Sequence, residues 1–523
     1  MLLWGVDFYE RERGTNLSSI RGWGAGLVIV LAACDSTTAP SGEGAAPTLI
    51  PLFALTQNIT VTDLGSLGSG AVQVAQALNA KGNVAGTSAD GLGRQRAFYW
   101  TLQGGMVDIG TTGGSQARAF DLNDYNVVAG WSEDAAGNQE AFTWSPATGR
   151  RALGRFGGIA SVGLGINNTG AVAGYYLPTA TTVRGFSRTQ SGAFTQLPTL
   201  GSSESWAMHL NDAGEVVGIS STSDSATTPY VSFRWTAQGG IRNLGSMGPS
   251  FSEHDALRIN EFGQIAGGAF NQTTGLWHPF IWHSSTGFID LKARGFDAAR
   301  SGIAYGINKF GHVAVLILEP DGTRTPAVWV NGVGVTELPN LGGADGEVWD
   351  VNDLGMIVGW SLTGSGQMRS TRWQLVFAPS ERIQDVVDAL QAVADTTSGS
   401  TARNKLEDAI DQAERALNEL AETPPDNRRA LSRLEDAAQA LESAIQNGYI
   451  DTNVGVAFAE VIVQAARDMA VAAIDDAKAR GGRANRIADA EELLADGDAE
   501  RVVGDYNEAV AKYKDALVKA EGA

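Results

Sequence analysis

Few residues in this chain are of types that perform covalent or metal chemistry, and their spacing argues against it. The five histidines, His209, His254, His278, His283 and His312, lie within about a fifth of the sequence. His278 and His283 are five apart, so on a strand they face opposite sides and cannot share a metal ion. Asp63, Asp108 and Asp290 recur at one position of an internal repeat, which is how structural residues behave. Asp90, Asp134 and Asp321 have the setting of hairpin turns, without the closely spaced oxygens that calcium requires. No nucleophile, base or ligand cluster breaks the repeat, so neither catalysis nor a metal or cofactor is expected. Aromatics are the better candidates for contact with a ligand. Trp131, Tyr175 and Trp360 occupy one repeat position just after a strand glycine, and Trp277 ends a longer loop. These four could stack on sugar rings, and packing between repeats is the competing use.

Charge narrows the partners. With 58 acidic and 38 basic residues the net charge is -20. A nucleic-acid binder needs a basic stripe to displace counterions, so that class is excluded. Attraction by charge to an anionic lipid surface is disfavoured too. Cys34 is the single cysteine, so no disulfide can close the chain on itself.

The residues before Cys34 carry an address. Ala25 to Leu31 is apolar, too short to span a bilayer, and leads into Ala32-Ala33-Cys34. Leu31-Ala32-Ala33-Cys34 resembles the bacterial lipobox. That resemblance implies a diacylglycerol on the Cys34 sulfur after removal of residues 1–33 as a signal peptide. The stretch before it is long and mixed in charge, with Arg11, Arg13 and Arg21 offset by Asp7, Glu10 and Glu12. Residues 34–58, rich in Ser, Thr, Ala, Pro and Gly, read as a flexible tether. The expected location is the bacterial cell envelope, with the chain lipid-anchored through Cys34 and its body outside the cytoplasm.

Behind the tether stand seven copies of one unit of about 44 to 49 residues. An aliphatic residue precedes Asn79, Asn123, Asn167, Asn211, Asn260, Asn308 and Asn352. Three residues after each comes Gly82, Asn126, Gly170, Gly214, Gly263, Gly311 or Gly355. Two further on, Val84, Val128, Val172, Val216, Ile265, Val313 and Ile357 are all β-branched, which is strand chemistry. The Asn side chain can bond backbone within the turn, and the residue three later must take positive φ for the chain to reverse. Asn126 is the residue type that tolerates this best after glycine. On this reasoning Asn126→Gly is expected to be neutral or slightly stabilising.

Two further strands complete each unit. One carries sequences such as Phe98-Tyr99-Trp100 and Phe142-Thr143-Trp144, the other Asp63-Leu64-Gly65 and Asp108-Ile109-Gly110. Four short strands per unit predict a mainly β fold, a seven-bladed β-propeller over residues 59–377. An open solenoid is the alternative. The Asp-Leu-Gly strand appears first, before any complete unit, and the last unit lacks one after Trp373. The N-terminal strand is therefore expected to close the last blade. The Asp-Leu-Gly-x-Leu-Gly, Ile-Asn-x-x-Gly-x-Val-x-Gly and Ala-Phe-x-Trp segments resemble HAF repeats of bacterial extracellular proteins, over about residues 61–377. Only His278 supplies that family's histidine before the Phe strand. The resemblance implies a secreted or surface setting and little about activity.

From Ser380 the apolar period becomes helical, as in Ile383, Val387 and Leu390. Residues 380–523 hold 29 acidic and 16 basic residues, and no Trp or Cys. An acidic all-α bundle is expected over residues 378–523. Its last helical hairpin should turn at Asp496-Gly497. The function this supports is a surface-anchored binding or scaffold protein, whose propeller recognises an extracellular glycan or protein without catalysis. The alternative is an extracytoplasmic polysaccharide hydrolase or lyase on the same scaffold. Loops at Ser221 to Tyr230 and Ala269 to Trp277, longer than their counterparts, are the expected place for a ligand.

Overall fold

A computed structural model describes residues 59–68, 72–225, 229–330, 333–375, 378–450 and 452–523. Cys34, the signal segment and the tether lie outside these. Seven four-stranded antiparallel sheets form the blades of a β-propeller. Blade one comprises Gln73–Leu78, Val84–Ala89, Gln95–Thr101 and Gly105–Asp108. The other blades repeat this order outward from an inner strand that lines the channel. Blade seven borrows its outer strand from the N-terminus. Ile59–Asp63 pairs antiparallel with Met368–Leu375, Ile59 opposite Leu375 and Asp63 opposite Thr371.

All seven turn positions have positive φ: 76° at Gly82, 62° at Asn126, and 73° to 77° at the other five. Each Asn carboxamide does more than close its own turn. Its Oδ1 accepts the amide four residues on, in every blade, at 2.9 to 3.0 Å. Its Nδ2 donates to the carbonyl of the Asn in the next blade, at 2.9 to 3.2 Å. Asn352 donates to the Asn79 carbonyl at 2.9 Å, so the circle is complete. Seven buried amides thus form an unbroken hydrogen-bonded ring.

Asn126 has a task of its own. Its Oδ1 accepts Asn79 Nδ2 at 2.8 Å and Asn83 Nδ2 at 2.9 Å. Glycine would relieve the backbone but delete both bonds across the blade one–blade two seam. Asn126→Gly is therefore expected to destabilise by about 1 kcal/mol, in place of the neutral outcome read from sequence. Equilibrium urea unfolding checks the sign, and a more stable variant contradicts it.

The glycine in the second strand has a different cause from those in the turns. A Cβ on Gly86, Gly130, Gly174, Gly218 or Gly267 would stand about 2 Å from an inner-strand carbonyl oxygen. Opposite these glycines lie Phe98, Phe142, Phe186, Phe233 and Phe280, all fully buried. Blade six exchanges the volumes, with Val315 opposite Ala327.

Six helices follow: α1 (Pro379–Thr396), α2 (Ser400–Leu420), α3 (Asn427–Gln446), α4 (Thr452–Ala479), α5 (Ala484–Val503) and α6 (Tyr506–Glu521). None among the described residues is long and apolar enough to cross a membrane. The first of these helices begins at Pro379, and the apolar core runs on into it. One apolar cluster runs from Phe310, Val351, Trp373 and Leu375 of blades six and seven into Ile383, Val386 and Leu390 of α1.

The last hairpin does not turn at Asp496-Gly497. α5 continues through it to Val503 and ends at Gly504, φ 83°. Asp505 then caps α6 by accepting the Glu508 amide. Gly497 is there for space. A Cβ on it would lie 2.5 Å from the Tyr513 ring.

Candidate functional site

The site is built from one column of the repeat. Every inner strand carries a β-bulge two to three residues before its ring Asn. The residue after the bulge is Ala77, Asp121, Gly165, His209, Arg258, Gly306 or Asp350. Three of these are small and four are ionisable, and the four meet in the channel. Gly165 and Gly306 are small because the channel is narrow. A Cβ on Gly306 would lie 2.8 Å from Asp350 Cα, and one on Gly165 would lie 3.0 Å from His209 Cα.

Arg258 of blade five reaches across the channel to Asp121 of blade two, 3.1 Å away. His209 Nε2 lies 3.4 Å from the other Asp121 oxygen, which also accepts the Ile166 amide at 2.7 Å. Burial works against the Asp121 anion, but Arg258 and then His209 outweigh it and hold the carboxyl below its ordinary range. Asp350 differs. Burial, opposed by Arg258 and reinforced by Asp121, pushes its carboxyl up, while it accepts the Leu78 amide at 3.2 Å. One channel therefore holds an ionised carboxylate and a second one biased toward its acid.

Above this layer and the Asn ring comes a second circle, from the residues following each ring Asn. The amides of Ala80, Asp124, Asn168, Asp212 and Lys309 donate to the side-chain oxygen of the next blade's counterpart, at 2.6 to 2.9 Å. The series breaks where that counterpart is Lys309 or Ala80, neither of which offers an oxygen. Helices α4 to α6 roof this mouth. Between them lies a cavity of about 380 Å³, walled by Asp124, Asp212, Lys309 and Asp353 below and Glu460, Arg467, Arg501 and Tyr506 above. It shares its lower wall with the channel pocket of about 190 Å³.

The aromatics proposed from sequence are only partly at the surface. Trp131 and Trp360 are 3% and 2% exposed, packed within the blades, so they are not ligand-facing. Trp360 donates to Glu347 at 3.0 Å beneath the Arg324 guanidinium, 4.6 Å from its ring centre. Tyr175 is half-buried, with burial pushing its hydroxyl up to about 12. Their strand position looks across at inner-strand residues such as Arg118 and Glu347, and those contacts use up the rings. Trp277 is half-buried near Phe270, ring centres 5.5 Å apart.

The histidines divide similarly. His254 accepts the Ser232 amide, and burial holds it down to about 4. Burial and then Arg382 hold His312 down to about 3. His278 bonds Asp290, and His283 bonds Ser285. Only His209 enters the channel. Sequence reasoning missed the ionisable column, although aligning the residue before each aliphatic-Asn pair would have exposed it. Among the described residues, the one place where three acidic ligand atoms come within 4.8 Å is Glu419, Glu422 and Asp426, in the helical region.

No protein-family model and no curated protein matches the sequence. Solved propellers do align with it. The β-propeller domain of the Trilobed protease from Pyrococcus furiosus has a TM-score of 0.43 at 10% identity, over 58% of this chain and 95% of that one. The BP39L lectin from Burkholderia pseudomallei gives 0.38 at 9%, over 59% and 96%. TolB from Acinetobacter baumannii gives 0.37 at 13%, over 56% and 66%. The likeness is one of fold. It does not separate enzymes from binding proteins.

Proposed function

We propose that the protein is a surface-anchored binding protein whose closed propeller recognises an extracellular glycan or protein, without catalysis. The observation that carries this reading is how the channel uses its charges. Arg258, Asp121 and His209 pair with one another across the axis, forming a strut rather than an open site. The bundle roofs the Asn-turn end, which leaves the opposite end for recognition. There, Tyr230, Phe251, Phe270 and Trp277 of blades four and five are partly exposed. Tyr230 stacks edge-on against Trp206 and donates to Glu204 at 2.9 Å. Ile59 enters beside Leu375, at the roofed end. A flexible tether over residues 34–58, lipid-anchored at Cys34, would join there and leave the open face free to reach a ligand.

Arrays of bacterial and host glycans and of surface proteins test this with the purified chain. Replacing both Phe270 and Trp277 by Ala is expected to weaken binding about tenfold, with the melting temperature nearly unchanged. Equal binding by wild type and variant contradicts the placement. Cys34→Ala is expected to abolish incorporation of a fatty-acid analogue, and persistent labelling contradicts the anchor.

A polysaccharide hydrolase or lyase is the second reading. It is favoured by Asp350 and Asp121 being pushed in opposite directions within one channel. Polysaccharide turnover that is lost in Asp350→Asn would favour it over binding.

A further inference from the structure

The cavity under the helical roof has a charge surplus that the protein itself does not neutralise. Three of its four lining cations are already committed. Lys309 pairs with Asp353 at 3.4 Å, Arg501 with Glu460 at 2.6 Å, and Arg467 with both oxygens of Asp498 at 2.6 and 2.9 Å. Asp124 and Asp212 of the cavity, and Glu261 in the channel mouth beneath it, are left without an ion pair of their own among the described residues, with Lys309 acting on Glu261 and the exposed Lys81 at the lip. The Asn168 carboxamide donates to Asp124 and Asp212 at 3.0 and 3.1 Å. Withdrawal from bulk water, and then Asp212, push the Glu261 carboxyl up to about 7.

A second feature of the cavity is independent of these acids. Tyr506 is 7% exposed and lines the cavity wall. Its hydroxyl has no hydrogen-bond partner among the described residues. Glu460, Lys309 and Arg501 line the same cavity, and burial and then Glu460 push the hydroxyl up, so it keeps its proton. A phenol oxygen there can accept from an ammonium group, and its ring can stack against one. The rim, by contrast, is apolar: Tyr125 is 64% exposed, Val502 48% and Val503 76%.

We propose that this cavity, together with the channel mouth beneath it, binds a linear aliphatic polyamine, with ammonium groups on Asp124, Asp212 and the Tyr506 hydroxyl in the cavity and on Glu261 in the mouth, and methylenes along Tyr125 and Val502. A bare divalent ion fits less well. The mouth carboxylates do not bring three ligand atoms within 4.8 Å of one another, and about 380 Å³ is far more than an ion occupies. Acids spaced around a ring match charges spaced along a chain. The methylenes match the apolar rim. This site lies at the other end of the propeller from the open face, so either proposal can fail alone.

Calorimetric titration of the purified full-length protein with spermidine, and separately with calcium, tests it. Spermidine is expected to bind, more weakly as salt rises. Glu261→Gln keeps the oxygen that accepts the Asp212 amide and removes only charge, while Asp212→Asn keeps the oxygen for the Asn168 amide and gives up the bond from Asn168 Nδ2. Each is expected to weaken binding about tenfold, with the melting temperature little changed. Tyr506→Phe is expected to weaken it several-fold. Absence of heat with spermidine, an affinity unmoved by the two charge variants together, or calcium binding as tightly and displacing spermidine would each overturn the proposal.

Discussion

Removing Ile59–Asp63 is expected to cost the propeller on the order of 5 kcal/mol or more, enough to leave a soluble native monomer in the minority. Five residue pairs join this strand to Met368–Leu375, and the Leu64 amide donates to the Ser370 carbonyl at 2.9 Å. Ile59 and Val61 also pack on the apolar cluster that holds Trp373 and Leu375. The deletion uncovers a strand edge and an apolar flank together, at the one blade whose strands come from both ends of the propeller. Each lost hydrogen bond contributes about 1 kcal/mol, and burial of two β-branched side chains adds a similar amount apiece. Size-exclusion chromatography and thermal melting read the result. A monomer melting at the wild-type temperature contradicts closure by this strand.

Asn167→Ala is expected to cost about 3 kcal/mol, an unusual loss for a turn residue. Its Nδ2 donates to the Asn211 carbonyl at 2.9 Å, and its Oδ1 accepts the Ala171 amide at 2.9 Å and the Thr169 hydroxyl at 2.7 Å. Asn167 is 4% exposed, so alanine strands buried backbone groups on two blades with little access to water. An exposed Asx turn would lose far less. Urea unfolding checks the size, and a change below about 1 kcal/mol contradicts the ring as a source of stability.

Much of the architecture was legible because repetition makes backbone requirements visible. Gly82 and its counterparts share a column since each must take positive φ, and Asn126 marks the exception by type. The unmatched strand at Asp63 and the gap after Trp373 gave the closure without any tertiary information. Repetition hid the site for the same reason. Asp121, His209, Arg258 and Asp350 share a column with Ala77, Gly165 and Gly306, so a search for sameness passes over them. The ring itself was half legible. Bonds within each turn follow from the Asn side chain, but the donor to the next blade depends on how blades stand side by side. Trp131 and Trp360 were misplaced because a strand position does not reveal how deeply a neighbouring blade covers it. Gly497 read as a helix breaker because local propensity carries no knowledge of Tyr513, whose ring needs the missing Cβ.

The seven blades form one seamless ring, with the Asn352 to Asn79 bond joining blade seven to blade one as the other bonds join their pairs. Hydrogen exchange of the seven amides that donate to ring Asn oxygens tests this most directly: Asn83, Val127, Ala171, Glu215, Gln264, His312 and Met356. The prediction is a common slow rate, set by global unfolding, at all seven. Markedly faster exchange at Asn83 and Met356 than at Ala171 and Glu215 would show that the ring opens at the seam, and would contradict it.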